Sequence, residues 1–334
     1  MGSLDDLVDG AAREHEFSGV VRVDRGGEIE LAAAFGLANR AARIPNRIDT
    51  VFAIASGAKG LTALAVATLL EEGSLELSTT ARSVLGDDLP LIEDAVTVEH
   101  LLSHRSGIGD YFDEDAGGAI TDYVLPVPVH ELDSTESYLA VLDGYPAAFP
   151  PDERFAYCNG GYVVLALIAE RASGVPFHQL VQRRVCEPAG MVDSAFLRSD
   201  ELPGNAALGY LSNDEPRTNV FHLPVLGSGD GGIYSTVADI ESFWAALFAG
   251  KIVSTGRVSE LVRPRSEAPS ESMRYGLGFW LHGSSSIVIL EGYDAGVSFR
   301  TLHDPESHRT CTVISNTSEG AWPMARALED FLAE

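Results

Sequence analysis

Residues 54–66 read IASGAKGLTALAV and contain the pattern on which the interpretation of the whole chain depends. Small and apolar side chains occupy most faces of this segment. They predict a buried helix over residues 56–72 that ends before Gly73, since glycine is typical of helix C-caps. Ser56 and Lys59 are three residues apart, so they share one face of this helix. The segment is therefore expected to be a core element that also carries reactive groups.

Ser56 and Lys59 are candidate catalytic residues. A serine hydroxyl is a weak nucleophile until a neighbouring base takes its proton, and a lysine amine can be that base if burial lowers its pKa. The flanking residues are apolar, and the chain has only one other lysine, Lys251. The alternative is an N-cap serine followed by a solvated lysine. The apolar surroundings favour the catalytic pair.

The chain of 334 residues is strongly acidic, with a formal charge of −26. Such a charge repels phosphate backbones and anionic lipid surfaces, so we expect no nucleic-acid or membrane partner. The acidity fits either a solubilising surface or adaptation to high salt, in which screening weakens the repulsion. We favour the solubilising surface. Hydrophobic and charged residues make up 45% and 22% of the chain, which indicates a globular protein of one or two domains.

Cysteine usage and the N-terminal sequence bear on the compartment. The three cysteines lie far apart, which argues against a disulfide framework. Neither the cysteines nor the nine histidines have the spacing of a metal site, and we expect no metal or cofactor. The N-terminal residues lack the pattern of a secretory signal, and the apolar stretches are far shorter than the ~20 residues of a membrane span. We therefore expect a cytoplasmic protein.

Strand patterns occur near both ends of the chain and helical patterns in the middle. The predicted strands cover residues 17–23, 29–35, 278–282, 286–290, 297–302 and 310–315. The other predicted helices cover residues 98–102, 135–142, 162–172, 177–185 and 322–332. This order predicts one sheet domain formed by residues 1–74 and 226–334, with residues 75–225 inserted as a helical subdomain.

A second group of candidate residues lies at Tyr157 and Asn159. In an extended or turning segment, residues two apart point the same way, so these side chains could face one cleft. A phenol near an ammonium group can relay protons, and an asparagine can hold both a lysine and a substrate amide. The alternative is a tyrosine with a buried ring and an asparagine in a turn.

Taken together, the motifs resemble those of the serine β-lactamase-related family, which includes class C β-lactamases, DD-peptidases, carboxylesterases, D-aminopeptidases and nylon-oligomer hydrolases. The Ser56-x-x-Lys59 pair is followed, in family order, by 101–108 (LLSHRSGI), 157–162 (YCNGGY), 228–236 (SGDGGIYST), 237–239 (VAD) and 275–280 (YGLGFW). Each motif alone is common, but the combination is specific.

This resemblance implies an α+β fold, an antiparallel sheet flanked by helices with an all-helical subdomain, and an active site between the two parts. It also implies acyl transfer, in which Ser56 attacks a carbonyl and an acceptor such as water later releases the acyl group. Lys59 and Tyr157 would share the proton transfers, and Asn159 would position Lys59 and the substrate. The oxyanion would lie between the backbone N–H of Ser56 and a second N–H near Gly296.

The third family motif, normally Lys-Thr-Gly or His-x-Gly on the edge strand, departs from the pattern here. The matching segment, residues 291–299, reads EGYDAGVSF and places Tyr293 at the Lys or His position and Ala295 at the Gly position. A neutral tyrosine cannot supply a charge-assisted hydrogen bond to a substrate carboxylate. Asp294 also disfavours anionic substrates. Arg300 is either a substitute anchor or a solvated strand residue.

Three further features receive structural interpretations. His104 resembles a family position that shapes a loop. Residues 110–112 could form an aromatic wall of the cleft or pack in the core. Gly231 and Gly232 are expected to allow close backbone packing beside the site and are assigned no chemistry.

The leading hypothesis is a serine hydrolase that acts on a small, uncharged or weakly charged ester or amide. Esters are favoured because an alkoxide leaving group demands less of the proton relay. One alternative is a true β-lactamase or DD-peptidase, against which the missing cation at Tyr293 and the missing secretory signal both count. The other is a non-catalytic relative that binds a ligand in the same cleft. The sequence determines neither the natural substrate nor the oligomeric state.

Overall fold

Strands from both ends of the chain meet in one eight-stranded sheet in the computed structural model, which describes residues 3–112 and 117–333. The strands are β1 Gly19–Arg25, β2 Glu28–Phe35, β3 Leu37–Asn39, β4 Ile44–Pro45, β5 Phe52–Ala53, β6 Ala195–Phe196, β7 Ile233–Ser235, β8 Ser266–Ala268, β9 Met273–Tyr275, β10 Trp280–His282, β11 Val288–Asp294, β12 Val297–Asp304 and β13 Arg309–Ser315. The helices are α1 Leu4–Glu14, α2 Ala58–Glu72, α3 Ala81–Leu85, α4 Val98–Leu102, α5 Leu139–Leu142, α6 Asn159–Ser173, α7 Phe177–Val181, α8 Glu187–Ala189, α9 Val237–Phe248, α10 Thr255–Leu261 and α11 Ala321–Ala333.

The strand order of the large sheet is β2-β1-β13-β12-β11-β10-β9-β8, and neighbouring strands are antiparallel. The first hairpin turns at Gly26 and Gly27, which have positive φ values of 59° and 86°. Strand β1 then pairs with β13, with Val21 opposite Val313. The large sheet thus combines strands from both ends of the chain, and each predicted strand is present with its ends shifted by a few residues.

The expected fold class, an antiparallel α+β sheet with flanking helices, is confirmed. Within the described residues, the stretch 75–225 contributes no strand to the large sheet and contains helices α3 to α8. It does contribute β6, which joins β5 and β7 in a small separate sheet. The domain boundaries themselves stay a prediction.

Helix α2 packs against both the large sheet and α6. Its residues from Ala58 to Leu70 are all buried, and it ends at Gly73 in the left-handed conformation, with φ 74°. A Cβ atom on Gly60 would lie 2.7 Å from Leu290 Cδ2 of β11. The buried helix predicted from the sequence is therefore present, and its glycine brings it into direct contact with the sheet.

Helices α1 and α11 contact each other and cover the strands β1 and β13. Their apolar residues form a second core cluster that includes Val8, Val21, Val313 and Leu328. Helices α1, α3, α8, α9 and α10 were not predicted from the sequence. None of the helices in the described residues is long and apolar enough to cross a bilayer.

Candidate active site

Ser56 lies in a single 3₁₀ turn, Ala55–Gly57, that leads into α2. The sequence predicted that the helix would begin at Ser56, whereas regular α-helix begins at Ala58. Ala55 has a φ of 44°, an unfavourable conformation for a residue with a side chain, so the backbone is strained next to the serine. A Cβ atom on Gly57 would lie 2.5 Å from the ring of Phe299, which explains the glycine after the serine.

Lys59 is buried, with only 2% of its surface exposed. Its Nζ atom lies 2.9 Å from Ser56 Oγ, 2.7 Å from Asn159 Oδ1 and 2.8 Å from the main-chain oxygen of Asp230. The alternative of a solvated lysine is therefore excluded. The structure brings the predicted pair together across one turn.

These three contacts restrict where the amine can place its protons. The oxygens of the Asn159 amide and of the Asp230 main chain can only accept hydrogen bonds, so two N–H groups of Lys59 point to them. The remaining position of the tetrahedral nitrogen faces Ser56 Oγ. That position holds either a third N–H or, in the neutral amine, the lone pair that can receive the hydroxyl proton.

Tyr157 lies just before α6, and its ring packs close to Lys59. The distance from Lys59 Nζ to the ring centroid is 4.9 Å. The ring is stacked on Trp280, with centroids 5.9 Å apart and an interplanar angle of 10°, and it contacts the ring of His104 at 4.4 Å. The phenol is thus held between two rings, within reach of the catalytic pair.

Asn159 is the first residue of α6 and is 3% exposed. Its Oδ1 accepts from Lys59, and its Nδ2 donates to the main-chain oxygen of Phe112 at 3.1 Å. The carboxylate of Asp110 accepts the N–H groups of Asn159 and Gly160 at 2.6 and 2.8 Å, which anchors the start of the helix. Burial nevertheless raises the pKa of Asp110 to about 6, and Asp230 adds to the rise. Asp110 was not predicted from the sequence to support the site, although it belongs to residues 110–112, the predicted cleft wall.

The strand that approaches Ser56 does so at Gly292. A Cβ atom on Gly292 would lie 2.2 Å from the main-chain oxygen of Ile54 and 2.8 Å from the nitrogen of Ser56. Leu290, two residues earlier on the same face of β11, packs against Gly60. The glycine of the third motif is therefore Gly292 and not the position of Ala295, which shifts the expected alignment by three residues. The Lys or His position then corresponds to Leu290, so that position is still without a cation.

Gly296 does not lie beside Ser56. It occupies the turn between β11 and β12 with a φ of 71°, and its N–H donates to Ser318 Oγ at 2.8 Å. The backbone of β11 that lies beside the Ser56 nitrogen is that at Gly292, so the expected second N–H is not the one of Gly296, which donates to Ser318.

Tyr293 and Asp294, at the end of β11, do lie in the site. The Tyr293 hydroxyl donates to Glu319 Oε1 at 2.6 Å, and Asp294 Oδ1 accepts the N–H of Ala295 at 2.8 Å. Arg300 forms ion pairs with Glu291 at 2.6 Å and Glu329 at 2.7 Å. Arg300 is therefore not a solvated strand residue, because two carboxylates balance its charge; its role as a substitute anchor stays a prediction.

Two cavities meet at Ser56. One has a volume of ≈ 80 Å³ and is lined by Asn159, Asp230, Asp294 and a set of aromatic rings. The other is a wider groove of ≈ 580 Å³, lined by Tyr157, Trp280, Glu291 and Arg300 among others. Ser56 and Tyr293 line both. The serine thus lies at the junction of the smaller, more enclosed cavity and the wider groove.

Residues 228–236 contribute a main-chain atom to the site. Asp230 presents its main-chain oxygen to Lys59, and its side chain accepts the hydroxyl of Tyr111. A Cβ atom on Gly232 would lie 2.6 Å from Gly227, and one on Gly231 would lie 3.5 Å from Ala55, so both glycines pack backbone against backbone, as predicted. The role of Asp230 was missed because a main-chain oxygen leaves no signature in the residue type.

His104 is a buried part of the loop that holds Tyr157. It has a φ of 55°, and its Nδ1 accepts the N–H of Cys158 at 3.0 Å. Burial lowers the pKa of His104 well below its usual value, and the charge of Lys59 lowers it further.

Tyr111 and Phe112, the predicted aromatic wall, both line the enclosed cavity, and Tyr111 also belongs to a buried cluster. Both alternatives for this segment therefore hold.

A serine held by a buried lysine beside an antiparallel sheet defines the class of active-site-serine proteins with a β-lactamase-like fold. Residues 4–331 match the family described as Beta-lactamase, and the chain belongs to that family of serine hydrolases.

Similar proteins within this family carry different names. The chain is 28% identical over 335 residues to penicillin-binding protein 4* of Bacillus subtilis, covering 95% of this chain and 72% of that protein. It is 35% identical over 214 residues to esterase EstB of Burkholderia gladioli, covering 62% and 54%. The crystal structure of a penicillin binding protein from Bacillus halodurans matches with a TM-score of 0.90 and 35% identity, covering 97% and 99% of the two chains.

Proposed function

We propose that this protein hydrolyses a small carboxylic ester or amide through an acyl-Ser56 intermediate, with esters preferred. The observation that carries the proposal is the position of Lys59, which is buried, fixed by two oxygens that only accept, and directed at Ser56 Oγ at 2.9 Å. A functional group of this kind is costly to bury unless its hydrogen bonds are satisfied.

In this mechanism Ser56 Oγ attacks the substrate carbonyl while its proton passes to Lys59. The developing oxyanion is stabilised by the backbone N–H of Ser56 and a backbone N–H of β11 at Tyr293. Tyr157 donates its proton to the leaving group and regains one from Lys59, so the serine proton ends on the departing alcohol or amine. A water molecule then attacks the acyl group, gives a proton to the same pair of residues, and Ser56 Oγ leaves with a proton returned by Lys59. The strained turn at Ala55 keeps the serine at the mouth of both cavities.

Each of the two cavities holds a different part of the substrate. Tyr157 lines the wide groove, so the leaving group that it protonates lies there, and the acyl group lies in the enclosed cavity with Asn159. A cavity of ≈ 80 Å³ holds only a few water-sized groups, because one such group occupies roughly 10–15 Å³ on the same measure. The preferred acyl group is therefore short.

The preference for esters over β-lactams follows from charge. Penicillins carry a carboxylate near the scissile bond, and the position that would bind it holds Leu290, while Asp294 lies close by. Several relatives are named penicillin-binding proteins. For this reason β-lactams and D-peptides are the second candidate substrates.

The proposal is tested with p-nitrophenyl acetate and butyrate. We expect Ser56→Ala and Lys59→Ala each to lower kcat/KM by about 10³-fold or more, and Tyr157→Phe by about 10²-fold or more. Lys251→Ala, which changes the other lysine of the chain, is the matched control and should leave kcat/KM unchanged. Full activity in Ser56→Ala would end the proposal.

Two further measurements separate the alternatives. A fluorophosphonate should add covalently to Ser56, whereas a non-catalytic relative would show no adduct by mass spectrometry. Nitrocefin hydrolysis as fast as that of the best ester would favour a β-lactamase instead.

A further inference from the structure

A second void lies directly behind the enclosed cavity. It is an open groove of ≈ 690 Å³, the outer groove, contributed by residues 121–130 and by residues between 217 and 222. Within the described part of the chain, the residues that line both voids are Tyr123, Leu125 and His222. Because each of these residues borders both spaces, the wall between the ≈ 80 Å³ cavity and the outer groove is one residue thick.

Two of the wall residues belong to an extended segment. Tyr123 and Leu125 are half-buried, whereas Val124 between them is exposed, and this alternation is that of an extended chain. Pro126 and Pro128 follow, and a proline disfavours helical conformation in the residue before it. The sequence of this segment therefore turns every second side chain towards the enclosed cavity.

The three wall residues are held in different ways. The hydroxyl of Tyr123 donates to the main-chain oxygen of Tyr111 at 2.6 Å, and its ring lies 4.5 Å from that of Phe112. Leu125 packs against a buried apolar cluster. The Nδ1 atom of His222 is buried and makes no hydrogen bond within the described residues. Shortening Leu125 thus removes no hydrogen bond, and shortening His222 removes none made by this nitrogen.

We propose that Tyr123, Leu125 and His222 determine the length of the acyl group that the protein accepts. This inference rests on the proposed function, which places the acyl group in the enclosed cavity. A chain too long for that cavity can continue only through the wall into the outer groove. The groove has apolar residues to cover such a chain, among them Val127 and Phe221. Specificity for short acyl groups therefore resides in the wall and not in the reactive groups at Ser56.

The test measures kcat/KM of the full chain for p-nitrophenyl acetate, butyrate and octanoate. These esters share a leaving group and differ only in the acyl chain. Concentrations are kept below those at which the octanoate ester aggregates. We expect kcat/KM of the wild type for the octanoate to be about tenfold or more below that for the butyrate, because the wall leaves the longer chain no room. Equal values, or a preference for the octanoate, would overturn the inference.

Shortening the wall should weaken this preference. We expect Leu125→Ala, His222→Ala or the double variant to raise the octanoate-to-butyrate ratio of kcat/KM values by about tenfold or more, because each methylene group that becomes buried in the groove gains roughly fourfold in binding. Such a rise is a gain of activity towards one substrate, which a loss of folding does not produce. Leu125→Val takes the place of the alanine variant if that variant does not fold. An unchanged ratio in the wall variants would overturn the inference.

Val124→Ala is the matched control, because Val124 lies between two wall residues but lines only the outer groove, with 82% of its surface exposed. It should leave the ratio unchanged, and a rise equal to that of the wall variants would also overturn the inference. Ser56-dependent hydrolysis of the acetate, with the same chain-length preference in all wall variants, would refute only this inference. No Ser56-dependent hydrolysis of any ester would refute the proposed function itself.

Discussion

The positions of the atoms around Ser56 depend on neighbouring residues that have no side chain. The β11 strand can approach the Ser56 turn only because residue 292 is glycine, and α2 can approach the same strand only because residue 60 is glycine. The polar atoms are equally constrained, since Lys59 has acceptors on three sides. At this scale the site is fixed by steric limits as much as by charge.

Gly292→Ala tests that constraint. The added Cβ would lie 2.2 Å from the Ile54 oxygen, so the strand must move away from Ser56, and the oxyanion donor moves with it. We expect kcat/KM for p-nitrophenyl butyrate to fall by about 10²-fold or more and the free energy of unfolding to fall by about 1–3 kcal/mol. Gly204→Ala is the control, because nothing lies within 4 Å of its Cβ position. Activity of Gly292→Ala within threefold of the wild type would contradict this account of the oxyanion site.

Secondary-structure elements bring the reactive groups together by their ends and edges. Helix α2 supplies Lys59 from its first turn, α6 supplies Asn159 from its first residue, and the last part of β11 closes the site.

The opposite end of the sheet has its own buried polar residue, His303 on β12. Its ring stacks on Phe248 at 4.8 Å, and its Nδ1 lies 2.9 Å from Thr310 Oγ1. Because Phe248 is the last residue of α9, the titration of His303 reports on the packing of this helix against the sheet.

His303 makes the stability of this packing depend on pH. Burial lowers the pKa of His303 from 6.5 to about 4, and the charge of His308 lowers it further, while Asp304 raises it. Between these two values the unfolded chain binds a proton that the folded chain does not, so stability falls as the pH drops from about 6.5 to about 4.

We expect the free energy of unfolding of the wild type, relative to His303→Gln, to decrease by about 1–3 kcal/mol between pH 7 and pH 4, after allowance for partial solvent screening. Urea unfolding at several pH values measures it. Taking the difference between the two proteins cancels the contributions of the other titratable groups to the pH dependence of stability. One of these groups is Asp110, whose contribution has the opposite sign. His130→Gln, which changes an exposed histidine, is the control for the loss of an imidazole ring. A flat difference for His303→Gln would contradict the burial of its ring.

The whole molecule carries a formal charge of −26, and many of its few basic groups are already paired. Arg171, for example, contacts both Asp88 and Glu136 at 2.7 and 2.8 Å. The remaining excess of carboxylates repels itself across the surface, a repulsion that moderate salt screens within a Debye length of about 8 Å at 0.15 M.

Thermal stability should therefore rise by a few degrees between about 0.02 and 0.2 M KCl and change little from there to about 3 M, as screening becomes complete. Scanning calorimetry over this range measures it. A melting temperature that keeps rising steeply through molar KCl would instead favour adaptation to high salt.

Much of this fold and the meeting of Ser56 with Lys59 could be predicted from the sequence alone. Residues 56–72 are apolar on most faces and are followed by Gly73, which is the pattern of a buried helix, and Ser56 and Lys59 meet because three residues make nearly one helical turn. The hairpin of β1 and β2 and the later strands were predictable from local alternation and glycine turns. All these features depend on neighbours in sequence.

The features that depend on strand register and on main-chain atoms could be identified only in the three-dimensional structure. It placed Gly292 rather than Gly296 beside the serine, paired Arg300 with Glu291 and Glu329, and brought the Asp230 oxygen to Lys59. The alternation of apolar and polar residues predicts a strand but does not give its register against the Ser56 turn, and that register determines which residue reaches the site. Backbone oxygens, for their part, are the same in every residue, so their roles arise only when distant segments pack together.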